Sequence, residues 1–320
     1  MEKLPQQLPE RLLEWYAAGH RDLPWRRDRE PYHVWLSEVM LQQTRVEAVK
    51  GYYRRFLAEL PDIPALAACP PDRLAKLWEG LGYYSRMRNL QKAAQVIVSA
   101  HGGVFPREYD AIRALPGVGD YTAGAIASIC FGLPEPAVDG NVLRVLSRVT
   151  DDAAPVTDAA VKREYAARLR EIYPAGRCGD FTQSLMELGA TVCGPNSQPQ
   201  CALCPLASLC LARANGTALL RPVKAPKKEK RTEEKTVFIL RCGTRIAVRR
   251  RPEQGLLAGL WELPNVDGKC SAQQALAQAE RWGVHPRELC RSSEKTHIFT
   301  HIRCCLLYTS PSPRDISGSR

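Results

Sequence analysis

The sequence predicts a mainly α-helical unit over residues 1–215, followed by a smaller α+β unit. Three observations carry this reading. Apolar residues recur at helical spacing in many short segments of the first two thirds of the chain. Pro and Gly separate those segments. The composition then shifts at Arg221–Lys235, and β-branched and apolar residues cluster at strand spacing beyond it.

From Ser37 to Leu60 the apolar set Val39, Leu41, Val46, Val49, Tyr53, Phe56 and Leu57 follows a helix period. Similar patterns recur at Leu74–Leu81, Leu90–Val98, Tyr121–Phe131, Val142–Val149 and Val161–Ile172. Breaks fall at Pro61/Pro64, Pro70/Pro71, Gly102/Gly103, Pro116/Gly117, Pro134/Pro136 and Pro174/Gly176. Many short helices with few strand signals make a compact all-α unit. Residues 216–235 are charged and poor in large apolar side chains, the composition of a basic linker. After Thr236, two strand-like clusters flank Gly243, which suits a hairpin turn. Ala272–Trp282 reads as a helix and His297–Arg303 as a further strand. Residues 304–320 are expected to be a disordered or foreign tail, since no periodicity follows Tyr308. That leaves 236–303 as a partial domain, too small for a well-supported core and expected to be marginally stable.

Of the 320 residues, 45% are hydrophobic and 25% charged, the balance of a globular protein rather than a disordered or fibrous one. The longest uncharged run, Leu188–Ala212, is rich in Pro, Asn, Gln and Ser and cannot sit in lipid. The N-terminus lacks a basic stretch followed by an apolar one, so a cytoplasmic chain with reduced cysteines is expected. The net charge of +11 is uneven: +1 over residues 1–220 and +10 over 221–320. Such asymmetry points to a polyanionic partner, nucleic acid first, with a solvated basic surface as the alternative.

Four of twelve cysteines, Cys193, Cys201, Cys204 and Cys210, are closely spaced. Thiolates at such intervals wrap one soft metal centre, either zinc or an iron–sulfur cluster. Leu115-Pro-Gly-Val-Gly119 precedes a helix of small residues. Its Pro116, Gly117, Val118 and Gly119 make a hairpin whose backbone amides suit a phosphate, or else a plain helix connector. Glu38 lies in an apolar run, where a carboxyl tends to a raised pKa and can act as a general acid. Asp139 stands at the start of a helical pattern and suits an N-cap, which does not exclude catalysis.

These pieces resemble the MutY-type adenine DNA glycosylases of the helix-hairpin-helix superfamily. The matching segments are Leu23-Pro-Trp-Arg26, Trp35-Leu-Ser-Glu-Val-Met-Leu-Gln-Gln-Thr44, Trp78-Glu-Gly-Leu-Gly-Tyr-Tyr-Ser-Arg86, Leu115-Pro-Gly-Val-Gly-Asp-Tyr-Thr-Ala-Gly124, Val138-Asp-Gly-Asn-Val142 and Leu185-Met-Glu-Leu-Gly189. The resemblance is dense over residues 8–215 and looser over 236–303. It implies two helical lobes with DNA and a flipped base between them, and a [4Fe-4S] cluster on the four cysteines, with zinc as the alternative. The first spacer of seven residues is one longer than the family's usual six.

The resemblance also implies roles. Glu38 is the acid that protonates adenine, and Asp139 stabilises the sugar cation, with Tyr121 and Asn141 orienting them. Arg26 and Gln183 line the adenine pocket. Gln43, Leu81 and Tyr83 fill or wedge the opened duplex, or else simply pack. The superfamily's lyases carry a lysine where this chain has Tyr121, so a monofunctional enzyme is expected. A bifunctional thymine-glycol-type lyase and a non-catalytic lesion binder are the alternatives. Ile246–Pro252 and Gly255–Asn265 resemble the family's Nudix-like module, without the glutamate-rich run of a Nudix hydrolase. Phe299, Thr300 and His301 match its loop that senses 8-oxoguanine. The expected partner is double-stranded DNA with A:8-oxoguanine or A:G mispairs, bound by a monomer at the nucleoid.

Overall fold

The computed structural model describes residues 3–195, 198–226, 229–242, 244–252, 254–284, 286–299 and 302–313. The chain divides into two compact units, Met1–Ala225 and Pro226–Arg320.

The first unit is helical, as expected. Its elements are α1 (Leu8–Ala18), α2 (Pro31–Leu41), α3 (Val46–Glu59), α4 (Ile63–Ala68), α5 (Pro71–Leu77), α6 (Tyr84–His101), α7 (Tyr109–Arg113), α8 (Asp120–Phe131), α9 (Gly140–Val149), α10 (Ala159–Glu171), α11 (Cys178–Thr191) and α12 (Leu211–Ala214). They form two lobes, each with its own apolar core. The first packs α2 to α8 around Trp35, Phe56, Trp78 and Met40. The second combines α9, α10 and α11 with the N-terminal α1, through Leu8, Leu12, Leu146, Tyr165, Phe181 and Leu188. Helix α2 buries Tyr32 and the whole run Val34–Met40, so it is enclosed on every side rather than along one stripe. Among the described residues no helix is long and apolar enough to cross a membrane.

Two boundaries differ from expectation. The segment read as a linker from residue 216 belongs in part to the first unit. Val156 N–H donates to Val223 O at 3.0 Å, and Arg221 pairs with Asp151 at 3.0 Å. These partners satisfy backbone and charge that a free linker would leave to water.

The second unit has β1 (Arg231–Phe238), β2 (Arg241–Cys242), β3 (Arg245–Ile246), β4 (Arg249–Arg250), β5 (Trp261–Glu262), β6 (Asn265–Asp267), α13 (Ala272–Arg281), β7 (Pro286–Ile298) and β8 (Ile302–Pro313). The four-stranded sheet runs β6-β1-β8-β7, with β1 and β8 parallel and the other neighbours antiparallel. Strands β2 and β3 pair as the expected hairpin, Arg241 opposite Ile246. Its turn residue Gly243 lies outside the described residues.

The expectation of a disordered or foreign tail fails over residues 304–313, which belong to β8. Strand β8 lies inside the sheet, with Cys304 and Thr309 buried. In the run Cys304–Tyr308 every side chain is buried or half-buried, so neither face is open to water and alternation is not required. Residues 314–320 lie outside the described residues. Of the segment His297–Arg303, expected to be one strand, His297 and Ile298 end β7 and Ile302 and Arg303 begin β8, with Phe299 N–H donating to Ile302 O at 2.8 Å. Strand β7 escaped notice because Arg291–His297 is polar, as suits the edge position it takes.

Candidate active site

Between the lobes of the first unit lies a cavity of about 400 Å³. Arg21, Arg26, Glu38, Tyr121, Asp139, Asn141 and Gln183 line it. The cavity therefore collects both expected acids, both expected pocket residues and both expected orienting residues.

Glu38 reaches this space from the enclosed helix α2. Tyr121, in the first turn of α8, donates its phenol proton to Glu38 Oε2 at 2.6 Å. Burial pushes the Glu38 carboxyl from 4.5 up to about 7, with the Tyr121 bond and Arg26 opposing and Asp139 adding to the rise. Burial, followed by the charges of Glu38 and Asp139, lifts the Tyr121 phenol well above 10, so it stays a donor.

Asp139 caps α9, accepting from the backbone N–H of Asn141 (2.9 Å) and Val142 (2.8 Å). The Asn141 amide donates to its other oxygen at 2.7 Å. Burial raises this carboxyl's pKa against those three donors. Behind them, Arg144 donates to Asn141 Oδ1 at 2.8 Å and to Cys193 O at 2.7 Å. Close approach of α11 to α9 requires Gly189, where a Cβ would lie 2.6 Å from Asn141 Cβ.

On the opposite wall, Gln183 Oε1 accepts from the Tyr16 hydroxyl at 3.3 Å. Arg26 donates to Glu187 Oε2 at 2.8 Å. Glu187 also takes two bonds of 2.7 Å from the Arg21 guanidinium. Burial works to raise the Glu187 carboxyl, but the Arg21 and Arg26 bonds prevail and hold it near 2.

The hairpin joins α7 to α8. Val118 N–H donates to Leu115 O at 3.1 Å, and Gly117 takes the left-handed φ of +75°. Gly117 and Gly119 are exposed, whereas the Val118 side chain is buried, so Val118 can offer only backbone. The N-cap of α8 is Gly119, which has no side chain to cap the first-turn amides. Of the expected duplex-contacting residues, Gln43 and Tyr83 are exposed. Leu81 is not: it is 5% exposed and packs in the core of the first lobe, in line with the packing alternative.

Cys193, Cys201, Cys204 and Cys210 line one small cavity together with Arg148. All four thiols are free, and Arg148 donates to Cys193 Sγ at 3.1 Å. Burial, followed by the other three sulfurs, lifts the Cys204 thiol to about 11.

Residues 36–171 match the HhH-GPD superfamily of base excision DNA repair proteins, and residues 236–310 match the NUDIX domain. The chain is 38% identical to the human adenine DNA glycosylase over 355 residues, covering 91% of this chain and 64% of that protein. The Arabidopsis thaliana adenine DNA glycosylase is also 38% identical and 55% covered, so the chain spans little more than half its length. The mouse protein of the same name is 39% identical and 68% covered. The chain belongs to the adenine DNA glycosylase family. Among solved folds, this family member resembles a thermostable thymine-DNA glycosylase at 28% identity, TM-score 0.58, over 65% of this chain and 95% of that one. It also resembles an endonuclease III in non-covalent complex with DNA, at 27% identity and TM-score 0.56, over 67% and 98% of the two chains.

Sequence reasoning missed several residues of this glycosylase-family site. Glu187 and Arg21 meet across 166 positions, and no local pattern announces such a contact. One signal was available: Glu187 is a charge inside the apolar run Leu185–Leu188, as Glu38 is in its own. Arg144 likewise sits one turn before Arg148 on the polar face of α9, which is nonetheless buried. In the second unit, Phe299 packs edge-on to His297 with centroids 4.4 Å apart. Thr300 and His301 lie outside the described residues.

Proposed function

We propose that this chain is a monofunctional glycosylase that hydrolyses the N-glycosidic bond of adenine mispaired with 8-oxoguanine or guanine in double-stranded DNA. The observation that carries the reading is the buried Glu38, bonded to Tyr121 and sharing its cavity with Asp139. A carboxyl titrating near 7 is half protonated at neutral pH, which suits a general acid.

Adenine leaves poorly as an anion. Glu38 gives its proton to the flipped adenine ring at N7, and the glycosidic bond breaks with its electron pair going to the base. Asp139, held by Asn141 and the α9 amides, faces the positive charge that grows on C1′. Water then bonds to C1′ and loses a proton, leaving an abasic site. Arg26 and Gln183 hold the base, and Glu187 fixes Arg26. Tyr121 offers no amine for a Schiff base, which argues against strand cleavage. The amides of Pro116–Gly119 and α8 grip phosphate, and Gln43 and Tyr83 enter the opened duplex. Phe299, Thr300 and His301 read the opposite base. The chain works as a monomer in the cytoplasm, at the nucleoid.

The four cysteines would hold a [4Fe-4S] cluster, whose role is to shape the loop beside the second lobe. All four thiols border one cavity, yet among the described residues no three donors are grouped closely enough for one ion. Zinc needs every sulfur at about 2.3 Å from one point, whereas a cluster is held by sulfurs spread around a cube. The donor set therefore favours the cluster over zinc.

The test is incubation with duplexes carrying A:8-oxoguanine, A:G, A:T and thymine glycol. Adenine release from the mispairs, with strand breakage only after alkali, supports the reading. Nicking at thymine glycol without alkali moves the chain to the lyase branch, and binding without release makes it a lesion binder.

A further inference from the structure

Arg86 is a buried arginine of α6 whose named acceptors are backbone carbonyls and one hydroxyl. Its Nη1 donates to Val39 O (2.8 Å), Met40 O (3.0 Å) and Gln42 O (2.5 Å). Its Nη2 donates to Leu81 O (3.0 Å), Gly82 O (3.3 Å) and Thr44 Oγ1 (3.4 Å). The guanidinium lies 5.5 Å from the Trp78 ring centroid and 5.4 Å from that of Tyr83. One planar fork thus ties together three segments: the C-terminal turn of α2, the 42–44 turn and the 81–83 turn.

The first set of bonds has a clear cause. The last carbonyls of a helix lack intrahelical partners and carry partial negative charge, so a cation there is favoured. The second set is more specific. Gln43 and Tyr83 both take left-handed backbone conformations, with φ of 59° and 47°. Such conformations cost energy in residues with a Cβ and persist where the surroundings over-determine them. Arg86 holds the carbonyl immediately before each: Gln42 O, whose peptide leads into Gln43, and Gly82 O, whose peptide leads into Tyr83. Both strained residues are exposed, and both lie in the turns read above as entering the duplex.

We infer that Arg86 is a positioning residue that holds the Gln43 and Tyr83 turns in one fixed arrangement with the helix carrying Glu38. Duplex opening and presentation of the acid are thereby set by a single guanidinium. This rests on the reading of Gln43 and Tyr83 as duplex-entering residues. Lysine cannot substitute, because its ammonium lacks the planar fork that reaches two segments at once.

The test uses the full chain and single-turnover adenine release. One duplex has the mispaired adenine between matched pairs. The other has mismatches on both sides, which lowers the cost of taking adenine out of the stack. Arg86→Met should slow release from the matched duplex on the order of a hundredfold, the scale of an ångström misplacement. It should slow the loosened duplex about tenfold less, and Arg86→Lys should recover little. Release from the loosened duplex also shows that the variants fold. Added to Tyr83→Ala, Arg86→Met should have little further effect on the matched duplex, since coupled residues are not additive. Equal slowing on both duplexes, full activity of Arg86→Lys, or additivity with Tyr83→Ala overturns the inference. If instead Gln43→Ala and Tyr83→Ala leave release from the matched duplex unchanged, the duplex-entry reading itself fails and takes the inference with it.

Discussion

Replacing Glu38 with glutamine isolates the cost of keeping an ionisable acid in the pocket. Burial lifts this carboxyl from 4.5 to about 7, even against the Tyr121 bond. Between those values the folded chain binds more protons than the unfolded chain, so stability falls as pH rises through the window. Above it the loss is complete, and below 4.5 it vanishes, because the group is neutral in both states. At about 1.36 kcal/mol per unit, a rise of roughly 2.5 units costs about 3 kcal/mol at pH 8. Glutamine is neutral at every pH, matches the shape and still accepts from Tyr121. Glu38→Gln should therefore be about 3 kcal/mol more stable than the parent at pH 8 and within about 0.5 kcal/mol of it near pH 4. The same variant should lose adenine release by at least about a hundredfold. Urea unfolding followed by the helical circular dichroism signal measures the first, and single-turnover release measures the second. A gain of equal size at both pH values, or a loss at pH 8, refutes the burial argument.

Tyr121→Phe removes a donor that favours the charged form of Glu38. The alkaline limb of the release profile should move up by about one unit, the worth of a hydrogen bond to a charged group, and a downward move refutes the assignment. Glu187→Gln leaves Arg21 and Arg26 without their shared carboxylate and should cost about 3 kcal/mol at pH 7. The parent carboxyl titrates near 2, so its contribution is full above about 4.5 and is lost as pH falls through 2. The stability gap between parent and variant, measured by urea unfolding, should narrow as pH falls from about 4.5 to about 2. Asp139→Asn keeps an acceptor for the α9 amides and should unfold within about 0.5 kcal/mol of the parent, whereas Asp139→Ala should lose about 1–2 kcal/mol. Both should lose adenine release, which separates the cap from the chemistry.

Glu38 was legible because a carboxyl among Val34–Leu41 has no local way to reach water, and burial follows directly. Asp139 was legible because a cap is a local event, settled by amides two and three residues on. Glu187 and Arg86 were not, since their roles arise only when segments distant in sequence are brought together. Leu81 shows the converse: its motif places it beside Tyr83, but packing turns one inward and the other outward. The second unit was least legible. Its last strand has β-compatible residues without alternation, and its edge strand is polar along most of its length. Both depend on neighbours that local periodicity does not report.

The N-terminal helix belongs to the second lobe, and the chain passes from lobe to lobe twice in the first unit. It leaves α1 through Gly19–Glu30 and returns before α9 through Gly132–Asp139. Arg21 and Arg26 ride the first strap, and Asp139 stands at the end of the second. The two straps together define the axis about which one lobe can turn on the other. Such a turn shifts Asp139 and Gln183, carried by the second lobe, relative to Glu38, whereas Arg26, next to Trp25 of the first-lobe core, stays with Glu38. The pocket is therefore bound to the posture of the whole helical unit, and a base that enters it meets the acid and the arginines in one stroke.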